Sequence, residues 1–462
     1  MSTKMKAIVA AASAAAMALT LGACGSGNGN GGAAGAKTAV SYSDVEAALK
    51  SDKDINLTMW AWSYDTMKPS VEAFEKKYPH IKVDFVSTGA SADHYTKVQN
   101  AIKAKKGLPD IIQLEYDALP QYAVQGALVN LAGDGIDENI GKLYNDAAWK
   151  NVHVGDGLYG IPQDQAPVAA WYRTDILKQY GIEIPTTWDE YEQAGIKLHK
   201  ADPTKYLGFI DTSGNRQFIQ MLHAADATPW TVDGLKDITL NLTNDKSKKV
   251  AEFTQRLIDE GVLAAVPSGT DEFNRAFADG KYASWIDGSW RGGLFATGNP
   301  ELKGKLAAAL PPSWGSSADD VQVGEAGGSL LSVTTTADTK EKQAAALAFI
   351  NWVNSDPESI DAFQTVGGSL FCAAKSFQSD SKYAEVDDAY FGQKVNEIYF
   401  KAAEKINTNW SILPYNNQMD SDFKDIVVPQ MKEGGDISSA LAKFQDKLKT
   451  YGTEQGFNVT AK

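Results

Sequence analysis

The stretch from Ile55 to Glu115 constrains the chain most, because it repeats one pattern of short apolar run and amphipathic run. Ile55 to Trp62 (INLTMWAW) alternates and is rich in aromatic residues, which predicts a strand. Val71 to Tyr78 predicts a helix stopped by Pro79, Ile81 to Val86 a second strand, His94 to Lys105 a second helix and Ile111 to Glu115 a third strand. Parallel strands need a crossover, and a helix is the compact one, so this order predicts a doubly wound α/β unit with a largely parallel sheet. Ligands of such sheets gather beyond the carboxyl ends of the strands. Trp60 to Asp65 and Glu115 to Asp117 occupy those ends.

The rest of the chain continues in kind. Ser43 to Lys50 predicts a short helix with Ser43 as N-cap. Tyr159 to Arg173 runs extended, since Pro162 and Pro167 bar a helix. Helices are expected at Trp188–His199, Arg216–Ala225, Lys246–Glu260, Thr270–Ala278 and Lys340–Asn354, and strands at Ala283–Ile286, Leu306–Leu310 and Ser329–Val333. The tail from Asp387 to Tyr451 reads as helical, broken around Asn407 to Asn417. A chain of 462 residues exceeds what one core serves and suits two lobes. No second linker separates them, so the lobes must share several crossings.

At the N-terminus, Lys4 and Lys6 precede the apolar and small residues Ala7 to Leu21, a run too short for an ordinary bilayer span of ~20 residues. Leu21-Gly22-Ala23-Cys24 resembles the lipobox of bacterial lipoproteins. That resemblance implies a signal peptide over 1–23, a lipid on Cys24, and a location on the outer face of the cytoplasmic membrane in a Gram-positive-type cell. A plain signal peptide with Cys24 incidental is the alternative. Residues 24–40 read as a tether, whose Gly25 to Lys37 portion would reach roughly 20 Å as a flexible coil.

A net charge of −14 argues against nucleic acid as a partner and against lying flat on anionic lipid. With Cys24 lipidated, Cys372 stands alone in an apolar stretch and is expected to be a small buried residue. There is no phosphate loop, nucleophile elbow or His-Glu-x-x-His, so neither catalytic residue nor cofactor is assigned. The histidines are scattered, and Asp134, Asp137 and Asn139 make only a faint calcium-loop pattern, so no metal is assigned either.

Several segments resemble one family. Residues 57–86 look like its opening strand, helix and strand. Pro109-Asp110-Ile111-Ile112 with Gly126-Ala127-Leu128-Val129-Asn130-Leu131 resembles its ligand loop and following stop. Tyr159-Gly160-Ile161-Pro162 with Trp171-Tyr172-Arg173-Thr174-Asp175 is similar to its first lobe crossing. Asp287-Gly288-Ser289-Trp290 and Gly324-Glu325-Ala326-Gly327-Gly328 complete the set. The family is the extracellular solute-binding proteins of carbohydrate ABC importers. The resemblance implies a two-lobed, periplasmic-binding-protein-like α/β fold of type II, each lobe a largely parallel sheet flanked by helices. It implies a monomer that closes on an oligosaccharide without catalysis and docks on permease subunits. By position, residues 41–164 and 314–368 would form the N-terminal lobe, and 165–313 and 369–462 the C-terminal lobe. Where the family's maltose binder has an arginine after its aspartate, Ala118 follows Asp117, which argues against a maltose-type ligand.

A pyranose offers a C–H face to an aromatic plate and a rim of hydroxyls to planar polar groups. Trp62 with Asp65, Glu115 and Asp117, Asp164 and Gln165 at the crossing, Trp230, and Asp287 with Trp290 supply both types. Glu325 and Gly327, with Asn417 and Asp420 from the tail, complete the expected site. Core packing competes with stacking for each tryptophan, and Glu115 or Asp117 could instead cap the next helix. Arg216 reads as a solvated helix-start residue. A surface glycoside hydrolase using Glu115 and Asp287 is the rival class, and a non-sugar cargo on the same fold is a third. Abundant tryptophan favours sugar.

Overall fold

The computed structural model describes residues 40–365 and 371–462. The expected signal peptide, Cys24, nearly all of the tether and the proposed lobe boundary at 368/369 lie outside those residues. The first sheet has the strand order Ile81–Ser87, Ile55–Ala61, Ile111–Glu115, Ser329–Val333, Ile161–Pro162. Its first three strands are parallel, as their helical crossovers require. Ser329–Val333 is antiparallel to both its neighbours and wholly buried. Asp110, at the head of the third strand, is buried. Its Oδ2 accepts from the Thr58 amide and hydroxyl, both at 2.9 Å, and its Oδ1 from Lys342 at 3.1 Å, which ties the strands in register.

A second group of strands is more mixed. Gly208–Asp211 pairs in parallel with Leu263–Val266, whereas Val168–Arg173 lies antiparallel between Ser284–Gly288 and Leu306–Ala309. The largely parallel pairing expected in both lobes is therefore confined to part of the second. The physical reason is the crossing: a strand that arrives directly from the other sheet enters from the opposite end. Two hydrophobic cores form. One surrounds the first sheet and continues past Trp171, Phe295 and Tyr399. The other gathers Tyr191, Phe218, Leu257, Phe423 and Phe444.

Residues 163–167 join Ile161–Pro162 of one sheet directly to Val168–Arg173 of the other, and two further segments lie beside them. Ala326 N–H donates to the Ala166 carbonyl at 2.8 Å, and Gln165 N–H to the Phe371 carbonyl at 2.9 Å. Several helix starts match their sequence signals, with Thr187, Thr270 and Thr339 capping the helices that follow. Two signals were misread. Ser41, not Ser43, makes the capping box of the first helix. The helix expected at Val71 begins at Tyr64 and runs through Pro69, a residue that the sequence pattern puts ahead of the helix. Cys372 is buried. Among the described residues no helix is long and apolar enough to cross a membrane.

Candidate functional site

The carboxyl ends of the first-sheet strands carry Trp62, Glu115 and Asp117. The helix Ser91–Ala104 brings Tyr95 to them: its hydroxyl donates to Glu115 Oε2 at 3.1 Å and accepts from the Glu115 amide at 2.8 Å. Trp62 packs edge-on against His94 at 5.3 Å and tilted against Tyr95 at 6.1 Å. Burial, and then the Asp117 charge, push the Glu115 carboxyl up to about 7. Asp117 keeps its side chain open to solvent, yet the protein that displaces water around it still raises its pKa, against the pull of Arg216. Its Oδ2 accepts from Asn416 Nδ2 at 2.9 Å, so the tail reaches across to the first sheet. Tyr95, Glu115, Asp117, Asn416 and Asn417 line a cavity of about 480 Å³. An apolar cavity of about 40 Å³ between the second sheet group and the helix Arg216–Ala224 is far too small for a sugar.

Trp290 stands at the end of Ser284–Gly288, half-buried, its indole N–H donating to the Ala326 carbonyl at 3.3 Å. Arg216 and Arg291 lie against its ring, at 5.6 and 4.6 Å from the centroid. Arg216 is exposed and its charge is felt by both Glu115 and Asp117. Hydrogen-bond acceptors, a strong donor and an aromatic plate thus share one region. Behind it, Asn215 Nδ2, Thr212 Oγ1 and Ser289 Oγ are buried polar atoms without a protein partner among the described residues.

At the crossing, Asp164 Oδ1 accepts from the amide of Ser329 at 2.7 Å and from its hydroxyl, while burial raises its pKa to about 6. Gln165 Nε2 donates to Glu325 Oε1 at 3.0 Å and Asn151 Nδ2 donates to Glu325 Oε2. Burial pushes Glu325 up to about 7, against those two hydrogen bonds. Gly327 has φ +105° and open space around it.

Three expected site residues are otherwise engaged. Trp230 opens the strand Trp230–Asp233, is 2% exposed, and donates to the Ser411 carbonyl at 2.7 Å. Asp287 is buried, with its Oδ2 bound to Arg291 Nη2 at 3.0 Å and Nε at 3.3 Å, so it positions that guanidinium. Asp420 accepts from the Asn215 amide and from Lys424, both at 2.9 Å, and so holds the start of the helix Arg216–Ala224. Asp65 lies exposed in the first turn of the helix Tyr64–Lys77, outside the cavity lining. Arg216, Asn416 and Tyr95 were missed. The rule that site residues follow strand ends would have found Arg216, which starts the helix after Gly208–Asp211. Among the described residues no group of three His, Cys, Asp or Glu side chains could hold a metal.

The chain is similar to several known proteins. The lactose-binding protein of Rhizobium radiobacter is 25% identical over 411 residues, 85% of this chain and 92% of that protein. The arabinooligosaccharide-binding protein of Bacillus subtilis is 25% identical over 252 residues, 53% of this chain but only 57% of that protein's length. Among solved structures, the ABC transporter associated binding protein from B. animalis subsp. lactis Bl-04, in complex with beta-1,6-galactobiose, superposes with a TM-score of 0.71 at 28% identity. That superposition covers 88% of this chain and 100% of the other. The family model of the bacterial extracellular solute-binding proteins matches residues 60–359. The chain belongs to the bacterial extracellular solute-binding proteins, on a two-lobed type II fold.

Proposed function

We propose that this chain captures an oligosaccharide between its lobes and delivers it to the permease of an ABC importer. The observation that carries the reading is the convergence of Glu115, Asp117 and Arg216 with the Trp290 ring, since each sugar hydroxyl both donates and accepts while its C–H face seeks a plate. The relatives named for lactose, arabinooligosaccharide and galactobiose support a sugar of more than one unit. Residues 41–164 with 314–368, and 165–313 with 369–462, are the proposed lobes. A ligand that touches both favours the closed form over the open one.

The site binds without catalysis. The hydrolase reading pairs Glu115 with Asp287 across the bond, and Asp287 is already bound to Arg291. The deciding experiment is isothermal titration with xylo-, manno-, galacto- and gluco-oligosaccharides, alongside an assay for reducing ends. The reading expects saturable binding of one class with no release of reducing ends; turnover, or no binding by any class, overturns it.

The proposed location is the outer face of the cytoplasmic membrane, through lipid on Cys24. Cys24→Ser is expected to release the protein from the membrane fraction into the medium, and retention in that fraction refutes the anchor.

A further inference from the structure

The segments that join the two groups of strands meet at Glu325. Residues 324–328 run beside 163–167: Val168 N–H donates to the Gly324 carbonyl at 3.1 Å, and Glu325 bridges to Pro167. From there Glu325 grips both cores. Its carboxylate accepts from Gln165 Nε2 at 3.0 Å and from Asn151 Nδ2, at the end of the helix Asp146–Asn151, whose Ala147 and Ala148 belong to the first core. Its amide N–H donates to His223 Nδ1 at 3.3 Å, on the helix Arg216–Ala224, whose Phe218 and Leu222 belong to the second. That bond leaves the imidazole proton on Nε2, which donates to the Asn407 carbonyl at 2.7 Å. The third segment joins through Gln378, whose Nε2 donates to the Gln165 side-chain oxygen at 3.3 Å and to the Cys372 carbonyl at 3.1 Å.

Glu325 does not line the 480 Å³ cavity, yet the carbonyl of the next residue, Ala326, holds the Trp290 indole. A change in the angle between the cores must turn the backbone between the two grips, so both cannot survive it unaltered. The charged and titratable groups around the carboxyl give it little support. Asp164 on the first crossing repels it, Tyr116 beyond the third strand is a buried phenol, and His223 is neutral in the tautomer above. Lys150 on the helix Asp146–Asn151 donates to the Thr408 carbonyl. Burial therefore favours the neutral acid where it stands, and an arrangement that admits water favours the carboxylate.

We infer that Glu325 is a positioning residue: it sets the angle at which the two cores meet and, through Ala326, the placement of the Trp290 plate, without touching the sugar. Only the consequence for capture rests on the function proposed above. An acid whose pKa burial raises holds its proton more tightly in this arrangement than in one open to water. This arrangement is therefore favoured at low pH and loses ground as pH climbs from about 4.5 to 7.

The test measures the distance between spin labels on Lys76→Cys and Asp259→Cys, without sugar, in the full chain carrying Cys24→Ser. Both positions are exposed, one on the helix Tyr64–Lys77 and the other on the helix Asp245–Asp259, and buried Cys372 stays unlabelled. Between pH 5 and 8 the distance in this parent should shift, whereas Glu325→Gln, uncharged throughout, should keep the low-pH value. Asn151→Ala removes a donor to the charged form, so the midpoint of the shift should rise by about one pH unit. Isothermal titration with the same four oligosaccharide classes should give the parent and Glu325→Gln equal affinities at pH 5 and a difference of about fivefold at pH 8. A parent distance that ignores pH, or a shift that survives in Glu325→Gln, overturns the inference. So does an affinity lost equally at both pH values in Glu325→Gln, since that marks a direct contact with sugar. Equal affinities at pH 8 remove Glu325 from capture. A distance that follows Glu325 while no sugar binds either protein supports the positioning role and refutes the proposed function.

Discussion

Trp290 is the side chain on which the ligand reading bears most heavily. It is half-buried, anchored through its indole N–H at Ala326, and flanked by two guanidinium groups. Trp290→Ala should leave both cores intact and weaken sugar binding by about 1–2 kcal/mol, roughly ten- to thirtyfold in Kd. A titration showing unchanged affinity would move the stacking plate elsewhere. Glu115 provides a sharper test, because its carboxyl is raised from 4.5 to about 7 by burial and by Asp117. A raised acid binds more protons in the folded chain than in the unfolded one. Its contribution is therefore most favourable at low pH and is lost as pH climbs from about 4.5 to 7. His94 and His223, lowered by burial to about 4, act with the opposite sign, so the total slope conceals the effect. The clean readout is the difference in unfolding free energy between the wild type and Glu115→Gln, which should shift in favour of the variant as pH rises through that window. Sugar hydroxyls that donate to Glu115 favour its ionised form. Binding should then release a proton and weaken as pH falls from 7 to 5, measured by titration in buffers of different ionisation enthalpy. An affinity independent of pH would remove Glu115 from the contact set.

At the scale of elements, the crossing is held by a glycine that no other residue replaces. Gly328 has φ +118°, and a Cβ there would stand 2.6 Å from the Tyr116 ring and 2.8 Å from the Asp164 carbonyl. Gly328→Ala should cost about 1–3 kcal/mol in urea unfolding and displace the start of Ser329–Val333, whereas Gly327→Ala, with open space around it, should cost less. Equal costs at the two positions would show that steric contact is not the cause. Gly327-Gly328 stands directly before a strand whose apolar run is clear in the sequence. The first-sheet strands were legible for the same reason: alternation over several residues is a strong signal. The hairpin Trp230–Asp233 and Asp237–Leu240 was not, since four-residue strands are too short to declare a period. Trp230 was misplaced as a direct consequence. Asp287 was correctly put at the end of its strand and Asp420 in the helical tail, but sequence has no signal for the distant partner that occupies a carboxylate. Arg291 and the Asn215 amide are such partners. Arg216 is the converse case, a charge that looks solvated in a helix start until the fold sets it opposite two carboxylates.

For the whole molecule, the decisive question is whether the ligand is held by one core or by both. Glu115 and Asp117 belong to the first sheet, Trp290 and Arg216 to the second group of strands and its helices, and Asn416 already bridges to Asp117. A ligand confined to one half would stabilise that half alone. One that spans both adds its binding free energy to any opening that separates them, about 2.7 kcal/mol at a concentration one hundred times Kd. Hydrogen exchange separates these cases, because protection reports local opening free energies segment by segment. With saturating sugar, amides of Ile111–Glu115 and of the helix Arg216–Ala224 should slow together, along with Ser329–Val333 at the crossing. Slowing restricted to the first sheet would mean that the sugar sits in the 480 Å³ cavity without engaging Trp290. In that event the closed form gains nothing from the ligand, and a permease could not distinguish loaded from empty protein by closure.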